Sequence, residues 1–463
     1  MSPNRILPLV IAAALFMENM DATVIATSLP AIAADLGTNP VSLKLAFTTY
    51  LLSLTVFLPI SGWMADKYGA KLVFRCAIAG FTLASVGCGL APNLGWLVGL
   101  RALQGLGGAM MVPVGRIILI RTIPKSELVN AMAWLTIPAL IGPLLGPPIG
   151  GFITTYFHWR WIFWMNVPFG VLGLVLATLF MPESREEHMP PLDFKGFLLS
   201  GFGLALTVFG CTVVGRGLIS EWFVAAMILA GALMIALYVR HAKRVANPLL
   251  DLSLLKVDTL RISITGGLFY RIVAGAVPFL LPLMLQLGFH LSPFQSGLIT
   301  CAAALGALTM KFGAARTLRR FGYRQLLIVN GVVSCVFTAA MGLFTPTMPY
   351  AVMMGLLLFG GVSRSMQFTA LNSIAYADVT TAQVSKANGL YTVAQQLSLA
   401  LGVAVAATIL DLSQWWRGAA ELATSDFSAA FFVVAAGGLS SIFLFMKLPQ
   451  DAGANLSGQN VES

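Results

Sequence analysis

Apolar runs of about 18 to 25 residues recur along the whole chain, and each can cross a hydrocarbon core of roughly 30 Å as a helix. Inside a bilayer no water satisfies the backbone amides, so a spanning segment must be a helix or belong to a closed barrel. The period-two alternation of barrel strands is absent. The fold class expected is therefore an all-α membrane protein. Composition agrees, because 58% hydrophobic and only 10% charged residues cannot cover a water-soluble surface. Spans are expected near 6–28, 48–65, 73–92, 95–120, 132–156, 161–181, 196–215, 221–240, 262–286, 296–314, 324–344, 349–371, 387–410 and 428–447, fourteen in all. The first run, with Arg5 ahead of Ala12, Ala13 and Ala14, is read as an uncleaved span because it carries acids and many spans follow.

A net charge of +10 could signal nucleic acid, so the position of the charges decides its meaning. With the N-terminus inside, 19 of the 28 Lys and Arg residues fall in cytoplasmic segments and five in spans. Only Lys44, Arg160, Arg216 and Arg417 fall in external loops. That asymmetry is the positive-inside rule with both termini cytoplasmic, and no nucleic acid is needed to explain it. Cys76, Cys88, Cys211, Cys301 and Cys335 lack close pairing, and the four histidines are scattered. No metal-ligand spacing, nucleophile elbow or phosphate-binding loop occurs, so neither an enzyme nor an ATP-driven pump is expected. No cofactor is expected, and the energy source is an ion gradient or the gradient of the solute.

The two most basic turns expose an internal repeat. Gly62-Trp63-Met64-Ala65-Asp66-Lys67-Tyr68-Gly69-Ala70-Lys71 matches the segment 315–324, with Gly69 and Gly322 separated by 253 positions. Gly107-Gly108 and Gly360-Gly361 share that separation. The organisation expected is a six-helix half over 1–181, two inserted helices with linkers over 182–261, a second six-helix half over 262–447, and a disordered tail over 448–463. Duplicated halves of this kind suit alternating access, with a substrate site between them near mid-membrane.

Charge inside the spans marks the candidate site. Of 18 acids only Glu18 and Asp21 fall well inside an expected span, Glu221 standing at the very start of another, and the two are three residues apart on one helix face. Such a pair can take up and release a proton, or both acids can be neutralised by a fixed arginine. Arg101, with Gln104 one turn on, can form a structural ion pair. Arg116 and Lys311 lie near span ends, where they can snorkel. Arg271 and Arg364 lie deeper, and Arg364 begins a polar stripe with Gln367 and Asn372; with Asn19 and Gln104 these are candidate cavity residues that either meet substrate or bridge helices. In the basic turn, Gly69 can supply positive φ and Asp66 can cap a helix N-terminus, while Lys67, Lys71 and Arg75 can act through topology alone. Gly142, Gly146, Gly150 and Gly151 recur near a spacing of four that admits a close helix neighbour, and Pro138, Pro143, Pro147 and Pro148 bend the run.

These motifs resemble those of the major facilitator superfamily, and within it the fourteen-span drug:proton antiporters, with the MdtD-type exporters nearest. Met20-Asp21-Ala22-Thr23-Val24-Ile25 is similar to the first-helix motif, although Ala26 stands where Asn is usual. Gly62 to Lys71 resembles the loop between helices two and three, Arg101 to Gly108 the fourth-helix motif, and Gly142 to Gly151 the fifth-helix antiport motif. The resemblance implies a major facilitator fold and export driven by protons. It implies that Gly62, Asp66, Gly69 and Lys71 latch one conformation, that Gly142, Gly146, Pro147, Gly150 and Gly151 pack the antiport helix, and that Arg101 relays protons or latches. Asp21 lies in the first-helix motif with Thr23 in reach, so it is expected to carry the proton, and Glu18 to tune it. Amphipathic drugs are the expected cargo; a metabolite anion such as an organic acid is the alternative, and a non-transporting sensor or scaffold a second. The partners expected are the bilayer of a bacterial inner membrane, a small-molecule substrate, protons and, as a further candidate, other efflux components, the chain itself being a monomer.

Overall fold

The computed structural model describes residues 3–123, 125–183, 191–213, 220–380, 383–419 and 421–454, and no strand occurs among them. The helices are α1 (Pro3–Val24), α2 (Leu29–Asp35), α3 (Lys44–Phe57), α4 (Ser61–Tyr68), α5 (Ala70–Leu90), α6 (Leu94–Thr122), α7 (Lys125–Tyr156), α8 (Trp161–Trp164) and α9 (Asn166–Phe180). They continue as α10 (Phe194–Val213), α11 (Glu221–Ala242), α12 (Asp258–Leu283), α13 (Pro293–Phe321), α14 (Tyr323–Met341), α15 (Tyr350–Ile374), α16 (Val384–Arg417) and α17 (Thr424–Phe445). Among the described residues 13 helical segments are long and apolar enough to cross a membrane, α1 with α2 forming one and α3 with α4 another. The remaining expected span, 132–156, falls on the 32-residue α7, whose side chains are described from residue 141 onward. The side chains of Arg5, Lys125 and Pro138 lie outside the described residues, as do Arg185 and Arg216 altogether.

The chain divides into two compact units, Met1–Leu249 and Leu250–Ser463. The first unit has a core built on Val10, Ile11, Phe74, Phe81, Met111 and Ile118. The second has its own, around Tyr270, Leu327, Leu371 and Phe445. The inserted helices do not stand apart from these units. Val213 of α10 and Val224 of α11 are buried with Leu45 of α3, and the Phe57 and Phe197 rings lie 5.9 Å apart. An apolar face on α10 is thus covered by α3, and the pair belongs to the first unit.

The repeat appears in the packing of each unit. Gly69 joins α4 to α5 with φ +93° and Gly322 joins α13 to α14 with φ +68°, a backbone region in which a Cβ is strained. Gly107 lies against α5 at Ala77 and Phe81, and its counterpart Gly360 lies against Phe337 of α14. Gly108 faces Tyr50 and Gly361 faces Ala303, and Tyr50 and Ala303 are themselves 253 positions apart.

Three placements differ from the sequence expectation. Lys44, assigned to an external loop, is 1% exposed at the start of α3. Residues 448–454, assigned to the polar tail, bury Leu448 and Ala454, and Gly453 packs beside Tyr323 and Ile374; their apolar members find a surface on the second unit. Asp35, Asp66, Asp258, Asp411 and Asp426 lie in segments of membrane length, because the helical segments extend beyond the apolar runs. Asp426 is held there by Arg417 and by Ser413 Oγ at 2.7 Å.

Asp193 ties the inserted pair to the end of the first unit. Its carboxylate contacts His241 Nε2 at 2.7 Å and accepts from Gly196 N at 2.8 Å and Leu249 N at 3.3 Å. Burial pushes this carboxyl up, but the hydrogen bonds from His241 and the two amides outweigh it and hold the group below its ordinary range. The stabilisation is therefore present above about pH 4 and is lost as pH falls through the folded value. Asp193→Asn is expected to cost about 1–2 kcal/mol at neutral pH. Thermal unfolding in detergent from pH 7 to pH 3 checks this, since the gap to the native chain should close at the acid end.

Candidate functional site

Four helices of the first unit bring a charged cluster into its interior. Asp21 of α1 is 3% exposed, and Arg101 and Gln104 of α6 are fully buried. Arg101 Nη1 donates to Asp21 Oδ2 at 2.5 Å and to Gln104 Oε1 at 2.7 Å. Gln104 Nε2 and Asn166 Nδ2 donate to Asp21 Oδ1 at 2.9 and 2.8 Å. Asn166 opens α9 and also reaches Ser85 Oγ on α5 at 3.0 Å. Three donors, one of them the cation Arg101, converge on the two side-chain oxygens of Asp21. The guanidinium of Arg101 stacks 4.2 Å from the Tyr50 ring, and its Nε and Nη2 have no acceptor among the described residues. Thr23 takes no part, because its hydroxyl bonds back to Asn19 O and Met20 O at 3.0 Å.

Glu18 shares α1 with Asp21 but has a different environment. Among the described residues its Oε2 is shielded from solvent and has no hydrogen-bond partner, and the Tyr50 hydroxyl is in the same condition. Both face Gly108, where a Cβ would lie 3.3 Å from Tyr50 Oη and 3.6 Å from Glu18 Cδ. The fixed arginine weighed as an alternative thus neutralises Asp21 alone. Arg116 lies within electrostatic range of Glu18 and is exposed, in keeping with snorkelling.

The glycines of α7 hold this part of α1 in place. A Cβ at Gly142 would sit 3.1 Å from Asn19 Cβ and Met20 N, and one at Gly150 would sit 2.6 Å from Val24 O. At Gly146 it would collide with Thr23. The backbones touch only because these positions lack side chains. Pro147 is half-buried and Gly151 buried in the same run. Asn19 donates to Leu15 O at 2.8 Å, within its own helix.

In the basic turn, Gly62 has only Ile117 near its missing side chain and Lys71 is half-buried. Asp66 does not cap a helix N-terminus. It pairs with Arg121 at 2.8 Å, because the end of α4 runs beside the C-terminal turn of α6. Lys67 stacks 4.5 Å from the Trp63 ring.

The second unit disperses the expected polar stripe of α15. Gln367 is fully buried; its Oε1 accepts from Asn330 Nδ2 at 2.8 Å and its Nε2 donates to Leu327 O at 2.9 Å, so it bridges α15 to α14. Asn372 is exposed and accepts from the Tyr391 hydroxyl of α16 at 2.8 Å. Arg364 lines a small cavity with Tyr270 and Ser334. Arg271 is fully buried in α12 and donates to the Tyr391 hydroxyl.

The Major Facilitator Superfamily model matches residues 11–241 and 262–461. The chain belongs to the Major Facilitator Superfamily. It is 36% identical over 409 residues to MdtD of Serratia proteamaculans (strain 568), provisionally named a multidrug resistance protein, covering 87% of this chain and 84% of that one. MdtD of Salmonella heidelberg (strain SL476) is 36% identical over 410 residues, covering 87% and 86%. Among solved structures a D-xylose-proton symporter superposes with a TM-score of 0.71 at 16% identity, over 97% of this chain and 98% of that one. The human organic anion transporter MFSD10 gives a TM-score of 0.63 at 17% identity, over 96% and 100%. At such identities these structures establish the superfamily fold and nothing about cargo.

Tyr50, Asn166 and Tyr391 did not stand out in the sequence. They are neutral, and the signal that could have found them is a lone amide or a hydroxyl-bearing ring inside an apolar run. Such residues are common enough in spans that only their contacts with Asp21, Arg101 and Arg271 distinguish them.

Proposed function

We propose that this superfamily member is a multi-pass inner-membrane transporter, both termini cytoplasmic, that exports small amphipathic compounds in exchange for protons by alternating access. The observation that carries the reading is the division of labour on α1. Asp21 is locked by Arg101, Gln104 and Asn166, whereas Glu18 presents a buried oxygen without a donor. An ionised carboxylate is costly in such a place, and a proton on Glu18 removes the charge. Glu18 is then the proton carrier and the Asp21–Arg101 ion pair a fixed neighbour beside it, the reverse of the roles expected from the sequence. The provisional naming of the MdtD relatives supports export of drug-like compounds. Buried Arg271 favours a second reading, in which the cargo is an anion.

Proteoliposomes with an imposed pH gradient test the proposal with ethidium as cargo. Gradient-driven ethidium movement that a protonophore collapses is expected; movement indifferent to the gradient would sink proton coupling. The basic turn is proposed to govern helix movement. Asp66→Asn and Gly69→Val are expected to slow ethidium transport by about tenfold, since they remove an ion pair and strain a backbone worth about 1–3 kcal/mol. Equilibrium ethidium binding, measured by fluorescence, should be unchanged; lost binding in folded protein would count against a conformational role.

A further inference from the structure

We infer that the second unit holds a recognition site for the carboxylate of an amphipathic, aromatic anion, centred on Arg271; this rests on the export reading and adds an anionic class to its cargo. Arg271 lies in the middle of α12, about 20 Å along the helix from Asp258. It is 0% exposed. Among the described residues its Nε and Nη1 have no hydrogen-bond partner, and Nη1 lies over Gly267, where a Cβ would stand 2.7 Å away. A guanidinium sealed in a membrane protein with two idle donors ordinarily has a carboxylate beside it. None pairs with Arg271 among the described residues, and the sequence from 259 to 377 contains no Asp or Glu but eight Lys and Arg.

Arg101 shows what is missing. Both arginines stack on a tyrosine, Arg101 on Tyr50 at 4.2 Å and Arg271 on Tyr391 at 4.6 Å, but among the described residues only Arg101 has an anion beside it, Asp21. The repeat sharpens the contrast, since Arg271 stands 253 positions after Glu18, the separation found for the paired glycines. One position of the first helix of each half therefore carries an unpaired acid in one unit and an unpaired base in the other. The geometry also offers a route to the surface of the unit. Tyr391 closes over Arg271, its hydroxyl donates to Asn372 Oδ1 at 2.8 Å, and Asn372 is exposed. A carboxylate that displaced the Tyr391 hydroxyl would meet the planar fork of the guanidinium. The surroundings are aromatic, with Tyr376 and Tyr391 rings 5.7 Å apart and Tyr270 and Phe368 rings 5.9 Å apart. Arg364 lies in electrostatic range of the same Tyr270. Together these groups fit a flat apolar body with one negative end.

The probes are 2-naphthoate and its neutral counterpart 2-naphthamide, titrated calorimetrically into the full chain in detergent. Naphthoate is expected to bind about tenfold more tightly than naphthamide, the scale of a charge-assisted hydrogen bond. Arg271→Gln should weaken naphthoate by about tenfold and leave naphthamide unchanged. If that variant unfolds, Arg271→Lys keeps the charge without the fork and should weaken naphthoate by about threefold to tenfold. Equal binding of the two probes, absence of naphthoate binding, or Arg271 variants that bind naphthoate as the native chain does would each overturn the site. Gradient-driven ethidium movement in a chain that fails to bind naphthoate would remove this inference and leave export standing. Naphthoate binding without gradient-driven transport would uphold the site and remove export.

Discussion

Glu18→Gln is expected to abolish proton-driven accumulation while downhill exchange of cargo survives. The variant keeps the shape of the side chain and removes the one acid of α1 that lacks a donor among the described residues. With no titrating group at that position, import of a proton can no longer be linked to export of cargo, and accumulation should fall by about tenfold or more while losing its dependence on external pH. Asp21→Asn should behave differently. Asp21 is already committed to Arg101, Gln104 and Asn166, so its loss leaves Arg101 buried without a counter-ion and damages folding and all modes of transport together. The measurement is substrate-dependent proton movement in vesicles across a pH series, beside ethidium counterflow without a gradient. Full coupling in Glu18→Gln with selective loss of coupling in folded Asp21→Asn would return the carrier role to Asp21.

Arg101→Gln is expected to be the most destabilising single change in the cluster. Removing the cation from a fully buried pair strands Asp21 in the interior, at a cost of about 3–5 kcal/mol. The stacking of Arg101 on Tyr50 is lost with it. Adding Asp21→Asn removes the stranded charge, so the double variant should unfold at a higher temperature than Arg101→Gln alone. That sign of coupling separates a buried ion pair from two independent contacts. A double variant less stable than Arg101→Gln would show that Asp21 is supported by its amide donors without the arginine.

The bilayer as solvent, the helical fold, the duplication and the family were all legible in the sequence, because each rests on local composition or on spacing along the chain. Apolar runs at fixed length specify helices through the backbone alone, and Gly69 with Gly322 mark equivalent turns because positive φ is a property of one residue. The fifth-helix glycines were equally readable, since a close approach needs no more than the missing Cβ. Which acid is paired was decided only in three dimensions. Arg101 is 80 positions from Asp21 and Asn166 is 145 positions from it, so no periodicity along the chain records that they meet. The same holds for Asp66, which finds Arg121 in place of a helix terminus, and for Arg271, whose nearest polar neighbour lies 120 positions away on Tyr391. Hydrophobicity acts on segments and tolerates any partner of the right shape, whereas the protonation and pairing of a buried charge depend on donors within a few ångströms. Only the packed helices bring those donors to Asp21 and withhold them from Glu18.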